Sequence, residues 1–213
     1  DDFQQNDINA VFDAAAGVNV ERVETDRVYF TARGFDITNF QYDGVGMPFV
    51  FGNQYGKIDT IVYDRIEIIR GASGLLSPTG NPSATVNFVR KRPTDEFQAQ
   101  GKVTFGSWQN RRVEADLSGA ANESGSVRAR VAGAQDQGDS YLDRKSHHNT
   151  AFSAIVEADL SERTLLTLGH TQQRNKSKGG MWGALPMLNS DGTQTDYDVS
   201  TSTATDWAFW NNQ

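Results

Sequence analysis

Phe152-Ser153-Ala154-Ile155-Val156-Glu157-Ala158-Asp159-Leu160 is the stretch on which the fold turns. In an extended chain Phe152, Ala154, Val156, Ala158 and Leu160 share one face, and Ser153, Ile155, Glu157 and Asp159 share the other, because successive strand side chains point to opposite sides. A helix would repeat its apolar positions every three to four residues, so this period of two predicts a strand. The same alternation recurs upstream. Phe97, Ala99, Gly101, Val103 and Phe105 oppose Gln98, Gln100, Lys102 and Thr104; Val113, Ala115 and Leu117 oppose Arg112, Glu114 and Asp116; Val127, Ala129 and Val131 oppose Arg128 and Arg130. A further strand is predicted from Thr164 to about Arg174, after the turn Ser161-Glu162-Arg163.

The connections are predicted to alternate in length. Short turns fall near Gln109-Asn110, at Asn122 to Gly125 and at Ser161; a longer loop from about Gln135 to His148 carries His147 and His148, and a much longer one starts near Asn175. Short turns on one side and long loops on the other are a feature of outer-membrane barrels. A soluble sandwich or meander alternates as well, but it normally turns bulky residues inward. Here the apolar face is often Ala or Gly, while the other face carries ionised groups, as a water-filled or plugged lumen tolerates. The pattern alone leaves both architectures open. No run approaches the roughly 20 apolar residues of a membrane helix, which does not bear on strands.

Upstream of Pro93 the elements are short and mixed. Asp7 is placed to cap a helix whose stripe is Ile8, Val11, Phe12 and Ala15, with Gly17 as its stop. Strands are predicted from Val28 to Arg33, from Asn39 to Tyr42 before the turn Asp43-Gly44, from Arg65 to Arg70 and from Thr85 to Lys91. Gly46 to Gly56 reads as a loop, with a helical turn at Leu75-Leu76 and a turn-rich stretch from Ser77 to Ser83. These elements make a small α+β domain, with a single sheet expected from the strands of Tyr29, Tyr42, Ile66 and Phe88.

Composition narrows the function. The net charge of -7 argues against broad nucleic-acid binding, and the absence of cysteine excludes disulfides, thiolate metal sites and cysteine nucleophiles. The opening Asp1-Asp2-Phe3-Gln4-Gln5 has no signal-peptide character. No HExxH, nucleophile elbow, Walker loop or GxGxxG is present, and nothing places Asp64 and Glu67 in a pocket, so an enzyme is not expected.

The order of motifs carries further meaning. Arg33-Gly34-Phe35-Asp36, Asp43-Gly44-Val45, Tyr63-Asp64-Arg65-Ile66-Glu67-Ile68-Ile69-Arg70-Gly71, Gly80-Asn81-Pro82-Ser83 and Val86-Asn87-Phe88-Val89-Arg90-Lys91-Arg92-Pro93 follow one another. This series resembles the plug domain of TonB-dependent receptors, in the version of the ferric-siderophore receptors and of the ferric-pyoverdine type in particular. The resemblance is close from about Ile8 to Pro93 and looser beyond. It implies an α+β plug domain, residues 1–95, followed by antiparallel transmembrane β-barrel strands, residues 96–213. These strands are part of a barrel of about 22, of which about five or six fit here.

The resemblance also implies a site and partners. A ferric siderophore would bind outside the plug apices, held by Arg33 at a strand tip, by the loop carrying Phe49, Phe51, Asn53, Gln54 and Tyr55, and by Trp182. Flat chelator rings suit aromatic side chains, and Arg33 suits an anionic chelate. Iron would be held by the chelator, with no cofactor or protein metal ligand. The partners implied are an inner-membrane TonB-type energy-coupling protein and outer-membrane lipid, with no nucleic acid, at the outer membrane of a Gram-negative bacterium. A receptor for haem, cobalamin or a glycan, and a siderophore-sensing signal transducer, are the alternatives. Arg65, Glu67, Arg70, Arg90 and Arg92 are expected to pair with Glu114, Asp116, Glu157 and Asp159 across the plug and barrel wall, as weak, wetted ion pairs. Trp207, Phe209 and Trp210 are assigned to an interfacial girdle.

Overall fold

The structure is a computed structural model and describes residues 5–47, 54–55, 57–70, 82–181 and 183–204, with 54–55 described by their backbone alone. The helix α1 (Ile8–Asp13) opens the described chain, and Asp7 caps it by accepting a 3.0 Å hydrogen bond from the Ala10 amide. Ile8 and Phe12 of its apolar stripe are fully buried. Gly17, at φ 75°, ends this region.

Two small sheets follow. The first joins β1 (Asn19–Arg22), β2 (Arg27–Ala32), β3 (Phe35–Asp36) and β6 (Gln54–Tyr55), with β2 paired to the other three. The second has the order β5 (Val45–Met47), β4 (Asn39–Tyr42), β8 (Ala84–Arg90), β7 (Tyr63–Arg70), and its β4–β8 pair is parallel. The single sheet expected from the sequence is therefore corrected: the Tyr29 strand belongs to the first sheet, and the strands of Tyr42, Ile66 and Phe88 to the second. The two sheets meet through packed aromatic side chains. Phe30 of β2 sits edge-on to Phe12 at 4.6 Å between ring centroids and faces Phe40 of β4 at 6.3 Å, while Phe88 of β8 packs on Phe40 and Tyr63. Burying each such ring stabilises the unit by roughly 1.5–3 kcal/mol.

The predicted turns form where the residues allow positive φ. Arg33 and Gly34 (φ 58° and 80°) join β2 to β3, and Asp43 and Gly44 (φ 49° and 82°) join β4 to β5, as two-residue hairpins require. The stretch read as one loop from Gly46 to Gly56 contains the ends of two strands, β5 and β6. Leu75, Leu76 and most of the turn-rich stretch after them lie outside the described residues, as do Trp207, Phe209 and Trp210.

The rest of the chain is a five-stranded antiparallel meander: β9 (Gln98–Phe105), β10 (Arg111–Ala120), β11 (Val127–Asp139), β12 (Ser146–Ser161) and β13 (Thr164–Lys178). Its faces follow the sequence alternation. Val103, Phe105, Val113, Leu117, Val131, Phe152 and Val156 are exposed on one face, while Arg112, Asp116, Ser118, Ser153 and Glu157 are buried on the other under the N-terminal unit. Register fixes this, since Val113 opposes Val103 and Leu117 opposes Val131. No helix among the described residues is long and apolar enough to cross a membrane.

Three strands run longer than the apolar alternation predicts. The expected loop from Gln135 to His148 shrinks to residues 140–145, and β13 continues past Asn175 to Lys178. His147 and His148 are strand residues, opposite Gly138 and Gln137. The reason is that Gln135, Asp136, Gln137, Asn149 and Asn175 are polar on both faces, so pairing continues beyond the end of the apolar band.

Candidate functional site

The chemistry of the chain gathers where the N-terminal unit rests on the buried face of the meander. The segment 57–60 lies at its centre. Asp59 caps a short 3-10 turn (Thr60–Val62), its Oδ1 accepting from the Ile61 amide at 2.9 Å. The same carboxylate receives two hydrogen bonds from Arg112 of β10, Nη1 to Oδ2 at 2.6 Å and Nη2 to Oδ1 at 2.8 Å. Both side chains are almost fully buried, 6% and 10% exposed. Glu114 accepts from Nε of the same guanidinium. A forked, charge-assisted pair of this kind fixes orientation as well as position.

The main chain of 57–60 is held from two other directions. From the meander, Gln173 accepts from the Asp59 amide at 3.1 Å and donates to the Lys57 carbonyl, which also accepts from Asn175 at 2.7 Å. From the chain leading into α1, the Ile8 amide donates to the Ile58 carbonyl at 3.0 Å and the Thr60 amide donates to the Asn6 carbonyl at 3.1 Å. Thr60 Oγ1 adds a 2.8 Å bond to the Gln5 carbonyl.

A second group of charges sits where β8 leaves the unit for β9. Lys91 meets Asp116 at 2.8 Å, and Arg130 binds the same carboxylate through two bonds at 2.8 and 2.7 Å. Arg92 meets Glu157 at 2.9 Å. Arg92–Glu157 is thus a pair of the expected kind, whereas Asp116 meets the unit through Lys91, which is not among the expected partners, and Glu114 pairs with Arg112 of its own strand; the other expected partners do not meet. Arg90 binds Asp43 within the unit, Arg65 binds Asp64 and Glu67, Arg70 reaches the Ala16 carbonyl, and Asp159 takes Arg128. On β7, the edge strand of its sheet, Arg65 is exposed and takes its partners from the same strand. Burial pushes the Asp43 carboxyl up, but hydrogen bonds from the Arg90 amide and guanidinium outweigh it and hold it below the ordinary carboxylate value.

A third contact lies at the β1–β2 turn. Lys145 binds both oxygens of Asp26 at 3.1 and 3.0 Å, and the Met181 amide donates to Thr25 Oγ1 at 2.9 Å. Gly180 permits the approach, because a Cβ there would stand 2.5 Å from Asp26 Oδ2. Below this turn a 360 Å³ cavity opens between unit and meander, with the Trp108 and Tyr141 rings (6.2 Å apart) on one side and Asp26, Val28 and Lys57 on the other. Among the described residues no cluster of His, Asp and Glu could hold a metal ion.

The residues singled out in the sequence are only partly placed. Arg33 is exposed at the β2–β3 turn. Gln54 and Tyr55 form β6, which pairs with the opposite end of β2, Tyr55 facing Arg27 and Gln54 facing Val28. Arg33 is thus about 20 Å along the strand from the Tyr55 pairing; the described structure does not bring them into contact. Phe49, Phe51, Asn53 and Trp182 lie outside the described residues. Sequence reasoning missed Asp59, Arg112, Gln173 and Lys145 as interface residues; only Arg112 carried a signal, as a charge on the inward-facing side of β10.

Comparison with known proteins places the arrangement. Residues 1–85 match the TonB-dependent Receptor Plug Domain family. The chain is 38% identical to the ferripyoverdine receptor of Pseudomonas aeruginosa over 99% of its own length and 26% of the receptor's, and 34% identical to a ferric-pyoverdine BN7/BN8 receptor of Pseudomonas putida, with 98% and 26% covered. It therefore spans about a quarter of the length of these curated relatives. The crystal structure of the Pseudomonas aeruginosa outer-membrane receptor bound to ferripyoverdine superimposes with a TM-score of 0.89 at 36% identity, over 98% of this chain and 28% of that one. The alcaligin outer-membrane receptor of Bordetella pertussis gives 0.72 at 41% identity, over 82% and 30%. Through residues 1–85 the chain carries the plug domain of TonB-dependent receptors, and along its whole length it is similar to a part of the siderophore receptors named above.

Proposed function

We propose that the chain is the plug domain and first wall strands of an outer-membrane transporter that imports a ferric siderophore of the pyoverdine class. The observation that carries this reading is the 38% identity to a ferripyoverdine receptor, sustained over 99% of the chain. The plug is taken as residues 1–95 and the wall as 96–213, continuing beyond these five strands into a closed barrel of about 22 strands. The exposed apolar face, with Val113, Leu117, Val131 and Val156, meets outer-membrane lipid. The ligand binds to Arg33, Phe51, Asn53, Gln54, Tyr55 and Trp182, whose cation and aromatic rings match an anionic chelate with flat groups. Iron arrives already chelated, as cargo, and the protein performs no bond-making chemistry on it.

Transport requires the plug to stay seated until it is loaded and then to move. The seam suits this. Charged and polar contacts, Asp59–Arg112, Lys91–Asp116, Arg92–Glu157 and Asp26–Lys145, hold the plug in register, with, among the described residues, only a small apolar contact where Val62 meets Ala132, Ala151 and Ile155. An energy-coupling protein of the inner membrane supplies the force, as TonB dependence implies.

The reading is tested by measuring binding of ferripyoverdine, other ferric siderophores, haem and cobalamin to the full-length receptor. Tight binding of ferripyoverdine with no binding of haem or cobalamin is expected; preference for haem or cobalamin would refute the siderophore class.

A further inference from the structure

The outward face of the meander carries its charge at one end and almost entirely of one sign. Arg111 of β10 stands opposite Phe105 of β9 and Gln137 of β11, Gln137 opposite His148 of β12, and His148 opposite Lys176 of β13. These residues share a face with Val113, Phe152 and Leu168, because strand side chains alternate with a period of two. Along β13, Arg174, Lys176 and Lys178 occupy alternate positions on that face, and Thr150 brings Arg174 into the row next to that of Phe152. All five cationic or imidazole side chains, Arg111, His148, Arg174, Lys176 and Lys178, are exposed. From β9 to β13 the same face has a single carboxylate, Asp139 at the end of β11.

The chain as a whole has a net charge of -7, so a cationic patch runs against its composition. Solubility would be served as well or better by carboxylates. On the inward face Arg112 and Arg130 are held by carboxylates, whereas among the described residues Arg174, Lys176 and Lys178 make no ion pair. The cations lie where β10 and β12 begin and β13 ends, at the end of the meander with the connection 140–145 and the stretch after Lys178. The opposite end closes β12 to β13 with residues 162–163 alone. Short turns mark the periplasmic side of an outer-membrane wall and long connections its outside. The cations therefore stand beyond the apolar band, on the outer side.

We infer that this outer rim binds the phosphate groups of the glycolipid that forms the outer leaflet, with Arg174, Lys176 and Lys178 as a ladder on β13 and Arg111 at the far end of the same row. The inference rests on the membrane-wall reading proposed above. Acyl chains pack on Val113, Phe152 and Leu168, and the phosphates meet the cations a few residues farther along the strands. Successive cations on β13 are about 7 Å apart along the strand, so phosphates at more than one depth are met. From Arg111 to Lys176 the row crosses three strand spacings, about 14 Å, which suits a sugar head group with phosphates at both ends. The rim thereby sets the height of the wall in the leaflet, by the same attraction that draws basic segments to anionic membrane surfaces.

The test uses purified full-length receptor in detergent micelles, with fluorescent lipid A carrying its phosphates as the probe. Saturable binding by the parent protein is expected, weakened at least about tenfold when the phosphates are removed from the probe. Arg174→Gln, Lys176→Gln and Lys178→Gln combined are expected to weaken binding on the order of 100-fold, at about fivefold for each cation. Arg163→Gln, in the turn at the opposite end, is expected to change nothing. No binding by the parent, equal binding of the dephosphorylated probe, or an undiminished affinity in the combined variant overturns the inference. Displacement of the probe by inorganic phosphate or by phosphatidylglycerol as readily as by lipid A also overturns it, since the rim would then take any anion or phospholipid. Ferripyoverdine binding is measured on the same preparations: its retention without lipid A binding overturns the rim alone, and its absence alongside lipid A binding overturns the transport reading alone. If the combined variant does not fold, Lys176→Gln and Lys178→Gln replace it singly; a loss of about fivefold in each supports the rim and no loss in either overturns it.

Discussion

The carboxylate of Asp59 and the guanidinium of Arg112 bind through two parallel hydrogen bonds of 2.6 and 2.8 Å, although 53 residues separate them in the chain. Asp59 lies among the residues that match the plug domain, and Arg112 lies on β10 of the meander. Removing one partner leaves the other charged and buried, which costs about 3–5 kcal/mol. Asp59→Ala and Arg112→Ala are each expected to loosen the plug by about that amount, and the double variant by clearly less than the sum. Denaturant titration of plug unfolding in the full-length receptor checks this. Additive losses would show that the two groups do not depend on each other.

The lipid-facing assignment predicts an effect that depends on depth. Val131 sits mid-strand on the exposed apolar face, opposite Leu117. Val131→Arg is expected to destabilise the inserted barrel by about 2–4 kcal/mol, whereas Gln135→Arg, on the same face nearer the strand end, costs about 1 kcal/mol or less. Folding titrations into bilayers measure both. Equal costs would remove the membrane band from this face.

Asp43 gives a pH signature within the plug. Its carboxyl is held below the usual 3.8 despite burial, because the Arg90 amide and guanidinium favour the ionised form. A depressed folded-state value contributes stability that is present above the unfolded value and lost as pH falls through the folded one. Asp43→Asn keeps a residue suited to φ 49° while removing the charge. The stability gap between parent and variant is therefore expected to be full at neutral pH and to close below about pH 3.8. A gap that stays constant to lower pH would mean that the Arg90 contact adds nothing.

Much of this architecture is legible in the sequence, and the gaps have physical causes. Alternation from Val113 to Leu117 and from Phe152 to Leu160 assigns the faces correctly, because burial imposes a period of two. The same signal fades at Asp136 and Asn149, where both faces are polar, so the strands outrun their prediction. The hairpins at Asp43-Gly44 and Arg33-Gly34 are announced by residues that tolerate positive φ. The division of the plug into two sheets is not, since a β strand such as Tyr29's carries no mark of which neighbour it will pair with. Ion-pair partners are the least legible: Glu157 and Asp116 are visible as inward charges, but only the fold brings Arg92 and Lys91 to them and sends Arg90 to Asp43.

The aromatic residues of the proposed site carry their own expectation. Tyr55→Ala or Trp182→Ala in the full-length receptor is expected to weaken ferripyoverdine binding by about 1–3 kcal/mol, or roughly 5- to 150-fold, with normal delivery to the membrane. Equilibrium binding on purified receptor measures it. Unchanged affinity in both variants would falsify the site while leaving the receptor assignment standing.

Import itself is the most direct test of the central claim. Iron-starved Gram-negative cells lacking their own pyoverdine receptors are given the full-length protein and radioactive iron as ferripyoverdine, and cell-associated iron is followed with and without the inner-membrane coupling protein. The account predicts accumulation well above receptor-free cells, falling to surface binding alone when the coupling protein is removed. Accumulation no greater than in receptor-free cells, or accumulation indifferent to the coupling protein, would contradict it.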